Sequence, residues 1–103
     1  MGETNQYLTF TLEGEQYALS VLKVREVLEF TKITKIPRTA AYMKGVINLR
    51  GSGVPVIDLR VKFGMQELEA SKDTSIIVME VDGTDGNVVI GALADSVQEV
   101  IEL

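Results

Sequence analysis

Two charged residues stand where apolar ones would be expected. Glu26 lies among Val24, Val27 and Leu28, and Arg50 among Val46, Ile47 and Leu49. A charge drawn toward a core needs a compensating partner. The two are therefore expected to pair across the fold in a structural role, with direct contact to a partner protein as the alternative. Asp58 and Arg60 are two residues apart and share a face only if a strand runs through Arg60; a pair of that kind is usually structural. Gly51-Ser52-Gly53 superficially invites a phosphate, but position 56 is Val and no Gly-Lys-Ser/Thr follows, so a turn is the better reading. Asp82-Gly83-Thr84-Asp85-Gly86-Asn87 has the composition of a calcium loop, yet its twelfth position is Leu93 rather than Glu, which favours a hairpin turn.

Composition narrows the chemistry further. With no His and no Cys, the chain has no imidazole base, no thiol, no disulfide framework and no Cys/His metal or haem site. No second carboxylate and pocket suited to acid–base catalysis can be found, so neither catalytic residues, nor a cofactor, nor a metal is expected. Ten basic against fifteen acidic residues, with no Trp, argue against nucleic acid as a partner. No apolar run approaches the roughly 20 residues of a membrane span, and Met1–Gln6 lacks the basic start and apolar stretch of a signal peptide, so a cytoplasmic protein without membrane insertion is expected. A length of 103 residues suits one small domain. The net charge of −5 hides a division: residues 1–64 carry nine basic and six acidic groups, whereas residues 65–103 carry one and nine. If that asymmetry is functional rather than ordinary solvated surface, the 23–62 segment faces an acidic protein surface.

The elements that must position these residues are mainly β. Val and Ile number 21 and Thr adds eight, side chains that are stiff at χ1 and pack well on a pleated surface. Tyr7–Leu12 puts Leu8, Phe10 and Leu12 on one face, and with Gln16–Leu19 across Glu13-Gly14-Glu15 it reads as a hairpin. Ser20 can cap a short helical turn through Val24, followed by a strand over Arg25–Lys32. Pro37 interrupts; Thr39 can then cap a second turn over Ala40–Met43, closed by Gly45. Val46–Gly51 is short strand or extended loop. Val54–Leu59 is a strand that Pro55 confines to an edge or bulge, and Arg60–Phe63 is a helical turn stopped by Gly64. Met65–Asp73 is an exposed connection. Ser75–Val81 and Asn87–Ala94 form a hairpin around a five-residue loop, and Asp95–Leu103 is strand or helix.

These residues also carry a family signature. Lys44-Gly45-Val46-Ile47-Asn48-Leu49-Arg50-Gly51, then Pro55-Val56-Ile57-Asp58-Leu59-Arg60 and Phe63-Gly64, closely resembles the hallmark of CheW-like chemotaxis coupling domains. Gln16–Leu19, Val24–Val27, Gly91, Asp95-Ser96-Val97 and Glu99-Val100 fit the same family. The resemblance implies a non-enzymatic adaptor of SH3-like β-barrels with short helical turns. Such an adaptor links the cytoplasmic tip of a chemoreceptor to the regulatory domain of the chemotaxis histidine kinase. The alternative is the same module within a larger signalling protein, fused to a receiver or forming the kinase's own regulatory domain.

Carried over position by position, the resemblance implicates Val24, Lys44, Gly45 and Arg50 in receptor binding, with Val27, Ile47 and Leu49 lining an apolar groove for a helical hairpin. Gly45 would either end a helix or keep a side chain out of the docked helix's way. The kinase surface would lie around Leu28, Phe30 and Ile33. Two departures stand out. Ser52-Gly53 replaces an apolar or basic pair, and relatives continue well past the position of Leu103. The 1–103 domain is therefore expected to be a CheW-like unit truncated at its C-terminal end, its second barrel incomplete, with unpaired strands open to self-association or domain exchange.

Overall fold

In the computed structural model, residues 5–67 and 69–102 are described. Met1–Thr4, Leu68 and Leu103, which entered the N-terminal, connecting and tail readings, lie outside them. β1 (Gln6–Leu12) and β2 (Glu15–Ser20) make the expected hairpin, with Leu12 opposite Glu15. Its two corner residues, Glu13 and Gly14, have φ of +50° and +82°, the left-handed pair that lets a two-residue turn follow the strands' twist. The Ser20 hydroxyl accepts the Leu22 N–H at 3.3 Å and caps one 3-10 turn, Val21–Lys23. β3 (Val24–Glu29) then pairs with β6. It stops three residues short of the expected Lys32 because β6 begins at Ser75, opposite Glu29, and offers no further backbone to pair with.

The 30–42 segment departs from expectation. Thr39 caps no helix: its hydroxyl donates to the Ile36 carbonyl at 3.1 Å, across a turn whose corners are Pro37 and Arg38, the latter at φ +63°. A second tight turn closes from Met43 N–H to the Ala40 carbonyl at 2.9 Å, and Met43 already opens β4 (Met43–Leu49). Gly45 therefore lies inside a strand rather than at a helix end, and Val46–Leu49 is strand rather than loop.

β5 (Ser52–Asp58) pairs antiparallel with β4 along its length but meets β7, in parallel, only at Val56–Asp58. Pro55 thus sits in the half of β5 that has a single partner. It faces Val46, whose own N–H and C=O both turn away to Thr34, so the missing proline N–H deprives β4 of nothing. The strand ends at Asp58. Its carboxylate caps α1 (Leu59–Lys62) by accepting the Arg60 N–H at 3.0 Å, so Asp58 and Arg60 share no strand face. β6 (Ser75–Gly83) and β7 (Gly86–Ala94) form a longer hairpin than expected, its turn being the two residues Thr84 and Asp85 rather than five. β8 (Ser96–Glu102) is a strand, antiparallel to β1.

The result is two curled sheets, β2-β1-β8 and β3-β6-β7-β5-β4, with β2 and β8 as the outer edges of the first. They share a core. Leu8, Phe10 and Leu12 of β1 pack against Ile77 and Met79 of β6, Ala92 and Ala94 of β7, and Leu59. Ile76 and Val78, on the opposite face of β6, join Ile47, Val54, Val56 and Leu93 in a second cluster inside the curl of the five-stranded sheet. Alternation along β6 thereby buries all four residues from Ile76 to Met79. Because Ile77 is fully buried where the two sheets meet, Ile77→Ala should cost about 2–5 kcal/mol in a denaturant titration. Val88→Ala, on a side chain 44% exposed, should cost a small fraction of that.

Candidate functional site

β3 and β4 are the two ends of the five-stranded sheet, and a side-chain bridge draws their rims together. Arg50 occupies the first corner of the β4–β5 turn at φ +50°, followed by Gly51 at +89°. The Asn48 side-chain oxygen accepts the Gly51 N–H at 2.8 Å and steadies the turn. From that corner the Arg50 guanidinium reaches Glu26 on β3, Nη1 donating to Oε1 at 3.4 Å and Nη2 to Oε2. The Arg50 hydrogen bond holds the Glu26 carboxyl below its ordinary range, and Glu26 in turn raises the Arg50 guanidinium. The pair belongs to the surface, with side chains 70% and 29% exposed, and not to the core that the apolar neighbours suggested. The reason is the turn: Glu26 shares the half-buried face of β3 with Leu28, but Arg50 lies beyond the end of β4, so the two meet at the rim. Beneath the pair opens a groove of about 660 Å³, walled by Leu49, Val54, Pro55, Val78, Val88 and Val89.

The other implicated residues divide by depth. Val27 and Phe30 are exposed, each 41%. Val24 is half-buried against the inter-sheet core, and Leu28, Ile33 and Leu49 are half-buried against the second cluster. Ile47 belongs to that cluster itself, and Gly45 is buried, so the structure sets both behind the surface rather than on it. Lys44 is half-buried, its Nζ 2.7 Å from Glu67 Oε2. That ammonium, by hydrogen bond and by charge, holds the Glu67 carboxyl down.

A third cluster was not visible in the sequence. Arg60, whose side chain is 20% exposed, donates from Nε to Asp95 Oδ1 at 2.8 Å and from Nη2 to Oδ2, and lies 3.8 Å from Glu13 Oε2. Asp95 Oδ2 also accepts the Glu13 N–H at 3.0 Å, and the Asp95 N–H donates to the Thr11 carbonyl at 2.9 Å. Burial alone would raise the Asp95 carboxyl; the hydrogen bonds from Arg60 and the Glu13 N–H, with the guanidinium charge, outweigh it and leave the group below its ordinary range. The partners are 35 and 82 positions apart, and no local pattern links them. Among the described residues, no group of three or more carboxylates could hold a metal ion, and no helix is long and apolar enough to cross a membrane.

Fold and site together define a class: a β module of two SH3-like curled sheets, tied by several ion pairs, with a groove and exposed apolar side chains as its distinctive surface. A CheW-like domain model matches residues 6–103. The chain is 41% identical over 104 residues to the chemotaxis protein CheW of Klebsiella aerogenes, covering 99% of this chain and 60% of that one. It is 33% identical to the CheW of Helicobacter pylori, covering 98% and 59%. The crystal structure of the scaffolding protein TtCheW from Thermoanaerobacter tengcongensis superposes with a TM-score of 0.87 at 40% identity, over 98% of this chain and 66% of that one. The chain belongs to the CheW-like family, and it spans about three fifths of the length of these curated relatives.

The Asp95 cluster makes a prediction about acid. A carboxyl whose folded pKa is lowered stabilises the fold above its unfolded pKa, and that contribution fades as pH falls through the folded value. Stability should therefore fall with pH across the interval below the ordinary aspartate range. Asp95→Asn should be less stable at neutral pH and show a flatter acid limb in denaturant titrations across that interval.

Proposed function

We propose that the chain is a non-enzymatic, cytoplasmic adaptor that couples the cytoplasmic tip of a chemoreceptor to the regulatory domain of the chemotaxis histidine kinase. The observation that carries this reading is the near-complete match to chemotaxis CheW proteins, at 41% identity over 99% of the chain. The geometry supports it: the polar groups with shifted titration are all engaged in ion pairs that hold surfaces in place.

The receptor surface is proposed around Val27 and Arg50, with Val24, Leu49 and Lys44 half-buried at its margins and Ile47 and Gly45 behind it. The kinase surface is proposed around Phe30, with Leu28 and Ile33 anchoring it to the second cluster. The outer edges of β2 and β8 additionally offer backbone for self-association.

Two measurements test the reading. Pulldown with receptor-tip and kinase regulatory fragments, at low and high salt, should recover both, more weakly at high salt because exposed charges are screened. A folded chain that binds neither would overturn the assignment. Arg50→Asn separates binding from stability, since Asn tolerates the left-handed backbone of this corner better than Arg does. Its melting midpoint should stay the same or rise while receptor-tip affinity falls; unchanged affinity would remove Arg50 from the surface.

A further inference from the structure

We propose that Gly45 is a positioning residue: the space left by its missing side chain seats the 30–36 segment against β4, and through that segment it sets the kinase-facing surface. The seating is a property of this chain alone; its consequence for kinase binding rests on the adaptor reading above.

Between the end of β3 at Glu29 and the start of β4 at Met43, the backbone is tied back to strands near its end, where the Tyr42 carbonyl accepts the Asp58 N–H of β5 at 2.7 Å, and earlier at Thr34, which holds the 30–36 stretch. Thr34 N–H donates to the Val46 carbonyl, and Val46 N–H to the Thr34 carbonyl, both at 2.9 Å, forming an isolated antiparallel bridge on the outer side of β4. Ile33, beside it, turns its side chain into the second cluster. Phe30 stands exposed at one end of the strap and Ile36, 42% exposed, at the other. Whatever fixes Thr34 therefore fixes how these apolar side chains are presented.

Gly45 is what lets the bridge close. A Cβ built on it would lie 2.1 Å from the Thr34 carbonyl oxygen, 2.7 Å from the Thr34 carbonyl carbon and 2.8 Å from Ile33 Cγ2. Two of those three atoms are backbone and cannot rotate aside, so even a methyl group must push the strap away. The strand also shifts register between Met43 and Gly45, and Gly45 has φ +149°, a conformation that side chains disfavour. Because Gly45 is buried, a partner does not reach it from solvent. A substitution there meets the chain's own Thr34 first, so its effect on binding passes through the strap rather than through a clash with a docked helix.

The test is Gly45→Ala, read by amide hydrogen exchange and by binding to the two fragments separately. Exchange at Thr34 and Val46 should accelerate about tenfold or more, as expected for local release, while Ile77 and Ala92 in the β6–β7 ladder keep their protection. Affinity for the kinase fragment should drop about tenfold and affinity for the receptor tip change far less. Unchanged exchange at Thr34 and Val46 would overturn the seating. Accelerated exchange with kinase binding intact would overturn the positioning role and leave the adaptor reading standing. A wild-type chain that binds neither fragment would remove the adaptor reading, and exchange would still judge the seating. Should Gly45→Ala fail to fold, Thr34→Pro decides, since it deletes the Thr34 donor and leaves β4 untouched. It should reproduce the selective loss of kinase binding, and full retention would overturn the proposal.

Discussion

The structure depends on one charged contact, the bidentate grip of Arg60 on Asp95. Asp95 is the single residue between β7 and β8, the point where the chain passes from the five-stranded sheet to the three-stranded one. Its carboxylate receives Arg60, from the helical turn after β5, and the Glu13 N–H, from the β1–β2 turn, while its own N–H goes to Thr11. Three segments remote in sequence are thus tied at one corner. The apolar contacts between the sheets, Leu12 and Phe10 against Ile77 and Ala92, are non-directional and tolerate sliding. A two-point hydrogen bond between planar groups does not tolerate it, so the ion pair fixes the angle at which the apolar faces meet.

The five-stranded sheet meets a related requirement with different means at its two ends. An open end of a curled sheet leaves backbone and apolar side chains facing water. Glu26 and Arg50 draw the rim of β3 toward the β4–β5 turn, and the outer side of β4 is covered at one point by Thr34. Both devices involve uncommon backbone in the same family motif, Arg50 at φ +50° and Gly45 at φ +149°. An Arg held in the left-handed region costs about 1 kcal/mol or more relative to a residue suited to it. At a corner open to water, its ion pair returns little to stability. The two facts together separate Arg50 from an ordinary turn residue: neither its backbone nor its ion pair accounts for it by stability.

How far this was legible in the sequence depended on whether the deciding interaction was local. The β1–β2 hairpin, the Ser20 cap and the stop at Gly64 follow from residues within a few positions of one another, and the structure has them as expected; the Asp58 cap, read in the sequence as strand, is equally local. Glu26 and Arg50 could be matched because each is a lone charge among apolar residues, although the β4–β5 turn then put the pair on the rim. Ala40-Ala41-Tyr42-Met43 has helical composition, which points toward a helix end at Gly45. What decides its strand is Thr34, eleven positions earlier and on the far side of a proline turn. Arg60 and Asp95 sat in plain view as charged residues, but only the parallel register of β5 on β7, with Asp58 beside Leu93, brings them together.

The same topology reinterprets the charge division between residues 1–64 and 65–103. Arg25 meets Glu80 at 3.0 Å, Lys44 meets Glu67, and Arg60 meets Asp95, so three cations of the basic portion are matched to anions of the acidic one within the fold. Arg50 is matched to Glu26 inside its own portion. Among the described residues, Lys32, Lys35 and Arg38 take part in no ion pair, and all three lie in the 30–42 segment with Phe30 and Ile36. Lys23 and Lys62 are likewise in no ion pair, so the basic excess is concentrated on the 30–42 segment without being confined to it. Cations flanking exposed apolar side chains can steer an acidic surface and then bury area against it. Thr34 ties the 30–36 stretch to β4, so these side chains are held at a defined place by a bridge that a glycine makes possible.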